Sequence, residues 1–216
     1  VRELGKFLKE GSLYRGFKPV LWSTVEKTAL ADAEVEYQDH KSDTIYAAFE
    51  VKNSKILELI DSEIIIWTTT PWTIPANKAL AFNQNLDYLL IKISNNGDFK
   101  NKKIVIAEAL LKSVLKDCEI EKYEILKKFK GKDLEDTVCK HPFFNLGYDY
   151  DIPLLEAHFV TTEQGTGIVH CAPSHGPDDF NLCLNNGIKA IETVDGDGKY
   201  TNNVKLFEGI HIFKAN

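Results

Sequence analysis

Between residues 44 and 109 the chain runs through five short segments of strand character: TIYAAFEV (44–51), SEIIIWTT (62–69), KALAF (78–82), YLLIKI (88–93) and KKIVIAEA (102–109). Their β-branched and aromatic residues suit a pleated, half-buried surface. Asn95-Asn96-Gly97-Asp98 reads as the turn joining the last two. More strands are expected over FKPVLW (17–22) and AEVEYQ (33–38), and near 120–127, 155–161, 166–171 and 210–213. Helix is expected at residues 1–10, where Val1, Leu4, Phe7 and Leu8 share a face, and at 109–116. Many short strands and few helices predict a mainly β fold with α decorations, closed or nearly closed into a barrel. No linker divides the chain, so residues 1–216 are expected to form one domain.

Composition excludes several classes. Hydrophobic residues make up 44% and charged residues 27%, the balance of a water-soluble protein with a substantial core. No apolar run is long enough to cross a bilayer, and VRELGKFLKEG is not a signal peptide, so a cytoplasmic protein is expected. Cys118, Cys139, Cys171 and Cys183 form no C-x-x-C pair, which predicts free thiols and no metal site. A net charge of −6 argues against broad binding to nucleic-acid backbone while allowing a local grip on one end. KKFKGK (127–132), with Lys127, Lys128, Lys130 and Lys132, is the best basic patch for such a grip, and a solvated turn accounts for it equally well. The chain has no methionine, which reads as a piece of a longer protein or a processed one.

Two stretches stand out. WTTTPWTIPANKALAF (67–82) leaves the apolar run Ile64-Ile65-Ile66 through three threonines and a proline. Threonines can simply prolong a strand; alternatively, hydroxyls are gathered at a strand end to hold something polar. GTGIVHCAPSHGPDDFNLCLNNG (165–187) reads as a strand, a loop and a helix opened by Pro177. Phe180, Cys183 and Leu184 are its expected inward face, and Gly187 its left-handed stop. Asp178 and Asp179 fall in the first turn, where unpaired N–H groups favour negative charge. Neighbours on a helix point about 100° apart, so one aspartate can serve the helix while the other serves a ligand such as an ammonium. His170 and His175 fit structural hydrogen bonding as well as chemistry. No G-x-S-x-G nucleophile is present, GTG is too short for a phosphate loop, and DGDGKY (195–200) lacks the glycine and glutamate of a calcium loop.

Together these stretches resemble the editing domain of isoleucyl-tRNA synthetases, the connective peptide 1 insertion in their catalytic Rossmann fold. LYRGFKPVLWS with ALADAEVEY (13–37), GKDLE with HPF (131–143), and VDGDGKY with FEGIHIFKAN (194–216) extend the resemblance along the whole chain. Related leucyl and valyl enzymes typically carry arginine-proline after two threonines, where this chain has Thr70-Pro71-Trp72-Thr73. Some relatives carry a cysteine pair after the tryptophan of the leading segment; Ser23 and Glu26 stand here, so no metal is expected.

The resemblance implies the β-barrel-centred editing fold of the valyl, leucyl and isoleucyl synthetases, with 1–25 and 205–216 connecting to a Rossmann catalytic domain outside this chain. It implies hydrolysis of valyl-tRNA(Ile), and potentially of valyl-adenylate, in a parent enzyme that ligates isoleucine to tRNA(Ile) with ATP and magnesium; no cofactor is expected in the present chain. Thr68, Thr69, Thr70 and Thr73 would hold the terminal adenosine and the ester, and Asp179 the α-ammonium. Trp67 and His170 would shape the side-chain space, with His175 and Asp178 in support. The implied partners are the aminoacylated 3′ end of tRNA(Ile), its valine, and the rest of the synthetase in cis, with no membrane. Two rivals remain on the sequence alone: a non-catalytic module that holds a tRNA 3′ end, and the same fold with valyl-type specificity for clearing threonine.

Overall fold

The computed structural model describes residues 1–39, 41–94 and 100–215. In chain order the strands are β1 (Trp22–Ser23), β2 (Thr28–Ala29), β3 (Ile45–Asn53), β4 (Glu63–Thr68), β5 (Ala79–Phe82) and β6 (Asp87–Ile93), then β7 (Lys103–Ala107), β8 (Tyr123–Lys130), β9 (Val138–Lys140), β10 (Asp151–Glu156) and β11 (Ile168–Cys171). The helices are α1 (Arg2–Lys9), α2 (Leu111–Asp117) and α3 (Pro177–Asn185). Nine strands form one mixed sheet in the order β11-β5-β10-β9-β3-β4-β7-β6-β8. Its two parallel pairs are β10–β5 and β4–β7. The mainly β class with helical decorations is thus the observed one.

Among the described residues the sheet curls without closing into a barrel. Register shifts between β3 and β9 at Val51/Asn53, and between β6 and β8 at Leu90/Ile91, add curvature. The sheet curls far enough to lay β11 against β4, and the Ala107 N–H donates to the Thr166 carbonyl at 2.8 Å. Among the described residues no ladder joins the end strands β11 and β8.

The triple isoleucine sits at the centre of the core, with Ile64 and Ile66 fully buried and Ile65 7% exposed. Phe49, Tyr88, Leu89, Ile91, Val105 and Ile106 surround it. Strands β6 and β7 pair in register from Tyr88–Ala107 to Lys92–Lys103; the expected turn at 95–98 lies outside the described residues.

Four expected strands need correction. Of residues 17–22 only Trp22 enters a ladder, pairing with Ala29. Residues 33–38 form a short 3-10 turn, Asp32–Glu34, followed by irregular chain. Tyr14, Phe17, Val20 and Leu21 are 51–80% exposed, so strand propensity there finds no surface to pack on. The strand expected at 155–161 lies earlier, at Asp151–Glu156. Residues 210–213 make one bridge, Lys199 to His211, and then a 3-10 turn.

The GTG motif is a packing device. Gly167 has φ +77°, and a Cβ there would stand 2.3 Å from the Ala107 Cβ. The Tyr88 hydroxyl also donates to its carbonyl at 2.7 Å. Gly167→Ala combines left-handed strain with overpacking, each costing about 1–3 kcal/mol, so a loss of about 3 kcal/mol or more is expected in urea unfolding. A loss below about 1 kcal/mol would show that the β7–β11 contact yields freely.

Candidate functional site

Strand β4 ends where Pro71, lacking an N–H and fixed in φ, opens a 3-10 turn over Pro71–Ala76. The threonines stabilise that exit. The Thr70 N–H donates to Thr68 Oγ1 at 3.1 Å, and the Thr73 hydroxyl donates to the Thr70 carbonyl at 2.8 Å. Thr68 and Thr73 are 7% and 6% exposed, whereas the side chains of Thr69 and Thr70 lie at the surface. The four threonines therefore divide into two buried ones that brace the turn and two exposed ones, of which Thr70 keeps its hydroxyl 3.4 Å from Thr68 Oγ1.

His170 ties this turn to β11. The Asn77 side-chain amide donates to the Ala79 carbonyl and to His170 Nδ1, both at 2.9 Å. Nδ1 is therefore an acceptor and the imidazole proton lies on Nε2, which donates to Thr73 Oγ1 at 2.8 Å. Burial lowers the His170 pKa to about 4, with His175 and His141 adding to the effect. Both ring nitrogens of His170 are engaged and the residue is 9% exposed. Thr73 and His170 thus join two segments that lie 97 residues apart in the chain. Asn77 was invisible in the sequence, because nothing local marks an amide whose partner is 93 residues away.

The loop after β11 carries the acidic helix. Gly176 precedes α3 in extended conformation and Pro177 occupies its first turn, as the sequence predicts. Gly187, at φ +74°, follows the helix. Cys183 is fully buried, with Leu182 and Ile188 packed beside it. Leu184 is 52% exposed, so the inward face turns toward Leu182 instead. Asp178 is exposed while Asp179 is half-buried, accepting the Ala172 N–H at 2.8 Å. Burial raises the Asp179 pKa, the Ala172 N–H opposes the rise, and the Asp178 charge adds to it. Among the described residues no cation forms an ion pair with Asp179.

His175 meets the threonine segment from this side. Its ring lies edge-on to Trp72 at 4.9 Å and 80°, and its Nε2 is 2.8 Å from Thr193 Oγ1. Burial holds its pKa near 4. Trp67 is half-buried, paired with Tyr46 across β3, and close to Gly165. The segments 67–77 and 165–179 are therefore joined at both levels: Thr73 to His170 through a hydrogen bond, and Trp72 to His175 through ring contact.

The lysines of 127–132 are set differently. They lie on or just after the edge strand β8, where Lys127 pairs with Glu58, Lys128 with Glu108, and Lys130 with Asp87, at 2.6 to 2.8 Å. Charged side chains on an open edge also discourage strand addition.

A curled mixed sheet, with a threonine-rich strand exit joined to β11 and to the loop that leads into an aspartate-bearing helix, defines a class of protein that the relatives identify. Residues 1–166 match the family described as class I tRNA synthetases (I, L, M and V), and the chain belongs to it. Within that family it is 81% identical over all 216 residues to the isoleucine–tRNA ligase of Pelagibacter ubique (strain HTCC1062), of which it spans 24%. It is 46% identical to that of Gluconobacter oxydans (strain 621H), spanning 23%. The chain thus covers about a quarter of these relatives' length.

Solved structures show the fold. The P. knowlesi cytosolic leucyl-tRNA synthetase editing domain superposes with a TM-score of 0.56 at 13% identity, covering 79% of this chain and 89% of that one. The crystal structure of GlLeuRS-CP1 gives 0.51 at 17% identity, covering 68% and 65%.

Proposed function

We propose that this chain is the proofreading domain of an isoleucine–tRNA ligase, hydrolysing the 3′ ester of valyl-tRNA(Ile) and sparing the isoleucyl ester. The observation that carries this reading is the join between the two segments. Because Thr73 bonds His170 at 2.8 Å, the exposed side chains of Thr69 and Thr70 and the Asp179 carboxylate issue from one braced framework.

Proofreading answers a physical limit. One methylene is worth only about 1–3 kcal/mol in a pocket, and isoleucyl enzymes are themselves the standard example of that limit. A second pocket that admits valine and clashes with isoleucine discriminates by overpacking, which close-packed walls resist. The ester is already activated, so orienting one water and stabilising the developing oxyanion with hydroxyl and backbone donors suffices. Asp179 would take the α-ammonium, whose positive charge offsets the cost of burying the carboxylate. In this proposal ATP and magnesium serve the synthetic reaction of the parent enzyme, which works in the cytoplasm. The 3′ end of tRNA(Ile) and its valine are the partners at this pocket.

The test uses a full-length ligase carrying this segment. Replacing Thr69 and Thr70 together by alanine is expected to lower valyl-tRNA deacylation tenfold or more. Both side chains are exposed, so unfolding stability should change by no more than about 0.5 kcal/mol. Unaltered deacylation would remove the hydroxyls from the mechanism. A preference for threonyl over valyl esters would move the specificity to the valyl type.

A further inference from the structure

The turn that follows the threonines is held by side chains from distant parts of the chain. Its Ile74 carbonyl accepts from His141 Nε2 at 3.0 Å, its Asn77 carbonyl from the Tyr150 hydroxyl at 3.0 Å, and its Trp72 carbonyl from the Tyr200 hydroxyl at 2.5 Å. The last contact spans 128 residues and differs from the others in where it leads.

Tyr200 belongs to the segment after α3, and so does Thr193. Thr193 is 3% exposed and Tyr200 2% exposed. The two are fixed to each other by the bridge between Val194 and Tyr200 and by the Thr201 N–H donating to the Thr193 carbonyl at 3.0 Å. One backbone unit therefore holds Trp72 through the Tyr200 hydroxyl and His175 through Thr193 Oγ1. Trp72 packs further into a small apolar cluster of Tyr200, Val204 and Ile212. Trp72 lies two residues beyond Thr70, and His175 four residues before Asp179. We infer that Tyr200 and Thr193 are positioning residues of the candidate site, clamping Trp72 against His175 and so setting how far the exposed Thr69 and Thr70 stand from the aspartate-bearing helix.

This rests on the proofreading reading above, and the physical warrant is the steep dependence of such reactions on placement. A misplacement of about 1 Å can cost a hundredfold in rate. Loss of one of two hooks leaves the other in place, so a smaller effect is expected for each alone.

Tyr200→Phe keeps the ring in its cluster and removes the hydroxyl; Thr193→Val keeps the shape and removes the oxygen. In the full-length ligase each is expected to lower kcat for valyl-tRNA deacylation about tenfold. KM should stay within twofold, and aminoacylation should match wild type, confirming an equal amount of folded enzyme. In 5-fluorotryptophan-labelled protein the Trp72 line, assigned by its loss in Trp72→Phe, should shift or broaden in both variants. A kcat within twofold of wild type in both variants, or an unmoved Trp72 line in both, overturns the inference. If Tyr200→Phe fails to fold, Thr193→Val decides by the same criteria. Asp179→Ala is the control. Should it leave deacylation intact, the role given to Asp179 in the proofreading reading is what fails, and the fluorine line alone decides the clamp.

Discussion

Asp179→Ala is expected to lower valyl-tRNA deacylation in the full-length ligase by at least a hundredfold while aminoacylation persists. The size follows from two losses. A hydrogen bond to a charged group contributes about 1.5–3 kcal/mol, up to roughly a hundredfold by itself. The ammonium also fixes which face of the ester meets the water, and that orientation goes with it. The carboxylate has a second task, since it accepts the Ala172 N–H at 2.8 Å. Asp179→Asn separates the two roles, because an amide oxygen can still accept that bond while the charge is gone. Both variants should lose deacylation. Full activity in Asp179→Asn would assign the residue to the loop alone. Full activity in both would remove the ammonium-binding role from Asp179.

The sequence exposes the elements whose reasons are local. Ile64-Ile65-Ile66 and the alternating runs of β6 and β7 announce buried strands because their own side chains must leave water. Pro177 and Gly187 bracket α3 because each suits a backbone conformation that a helix end needs. The 100° separation of Asp178 and Asp179 is pure helix geometry, and the exposed and half-buried pair follows from it. What stays hidden depends on partners distant in the chain. Asn77 orients His170, and Tyr200 reaches Trp72; neither carries a local mark. Propensity misleads at 17–38, where apolar residues have no sheet to join; in KKFKGK the acidic partners Glu58, Glu108 and Asp87 of Lys127, Lys128 and Lys130 are likewise distant in the chain and unmarked. The hydrogen bond between Thr73 and His170, 97 residues apart, is likewise unmarked in the sequence.

Acid should unfold the chain well before its carboxylates are titrated. His141, His170 and His175 are each held neutral with pKa values near 4, against an ordinary 6.5, and burial is the leading cause in all three. The unfolded chain takes up these protons as pH falls through 6.5, and the folded chain does not until about 4. Their contribution is therefore complete above about pH 6.5 and drains away between 6.5 and 4, at about 3 kcal/mol for each ring. The three contributions do not simply add, because charge on His175 and His141 itself helps lower His170. Asp179 works in the opposite direction, since its raised pKa lets the folded state bind a proton earlier, but one carboxyl does not balance three imidazoles. Urea midpoints measured from pH 7 to 4.5 should fall steeply, with a slope corresponding to two or three protons taken up on unfolding. The threonine turn of the folded chain should loosen only near pH 4 and below, where protonated His170 can no longer accept from Asn77 at Nδ1. A midpoint that stays level across this interval would mean that these rings already carry their protons in the folded chain, and that the bracing of the turn through His170 is not the neutral one described.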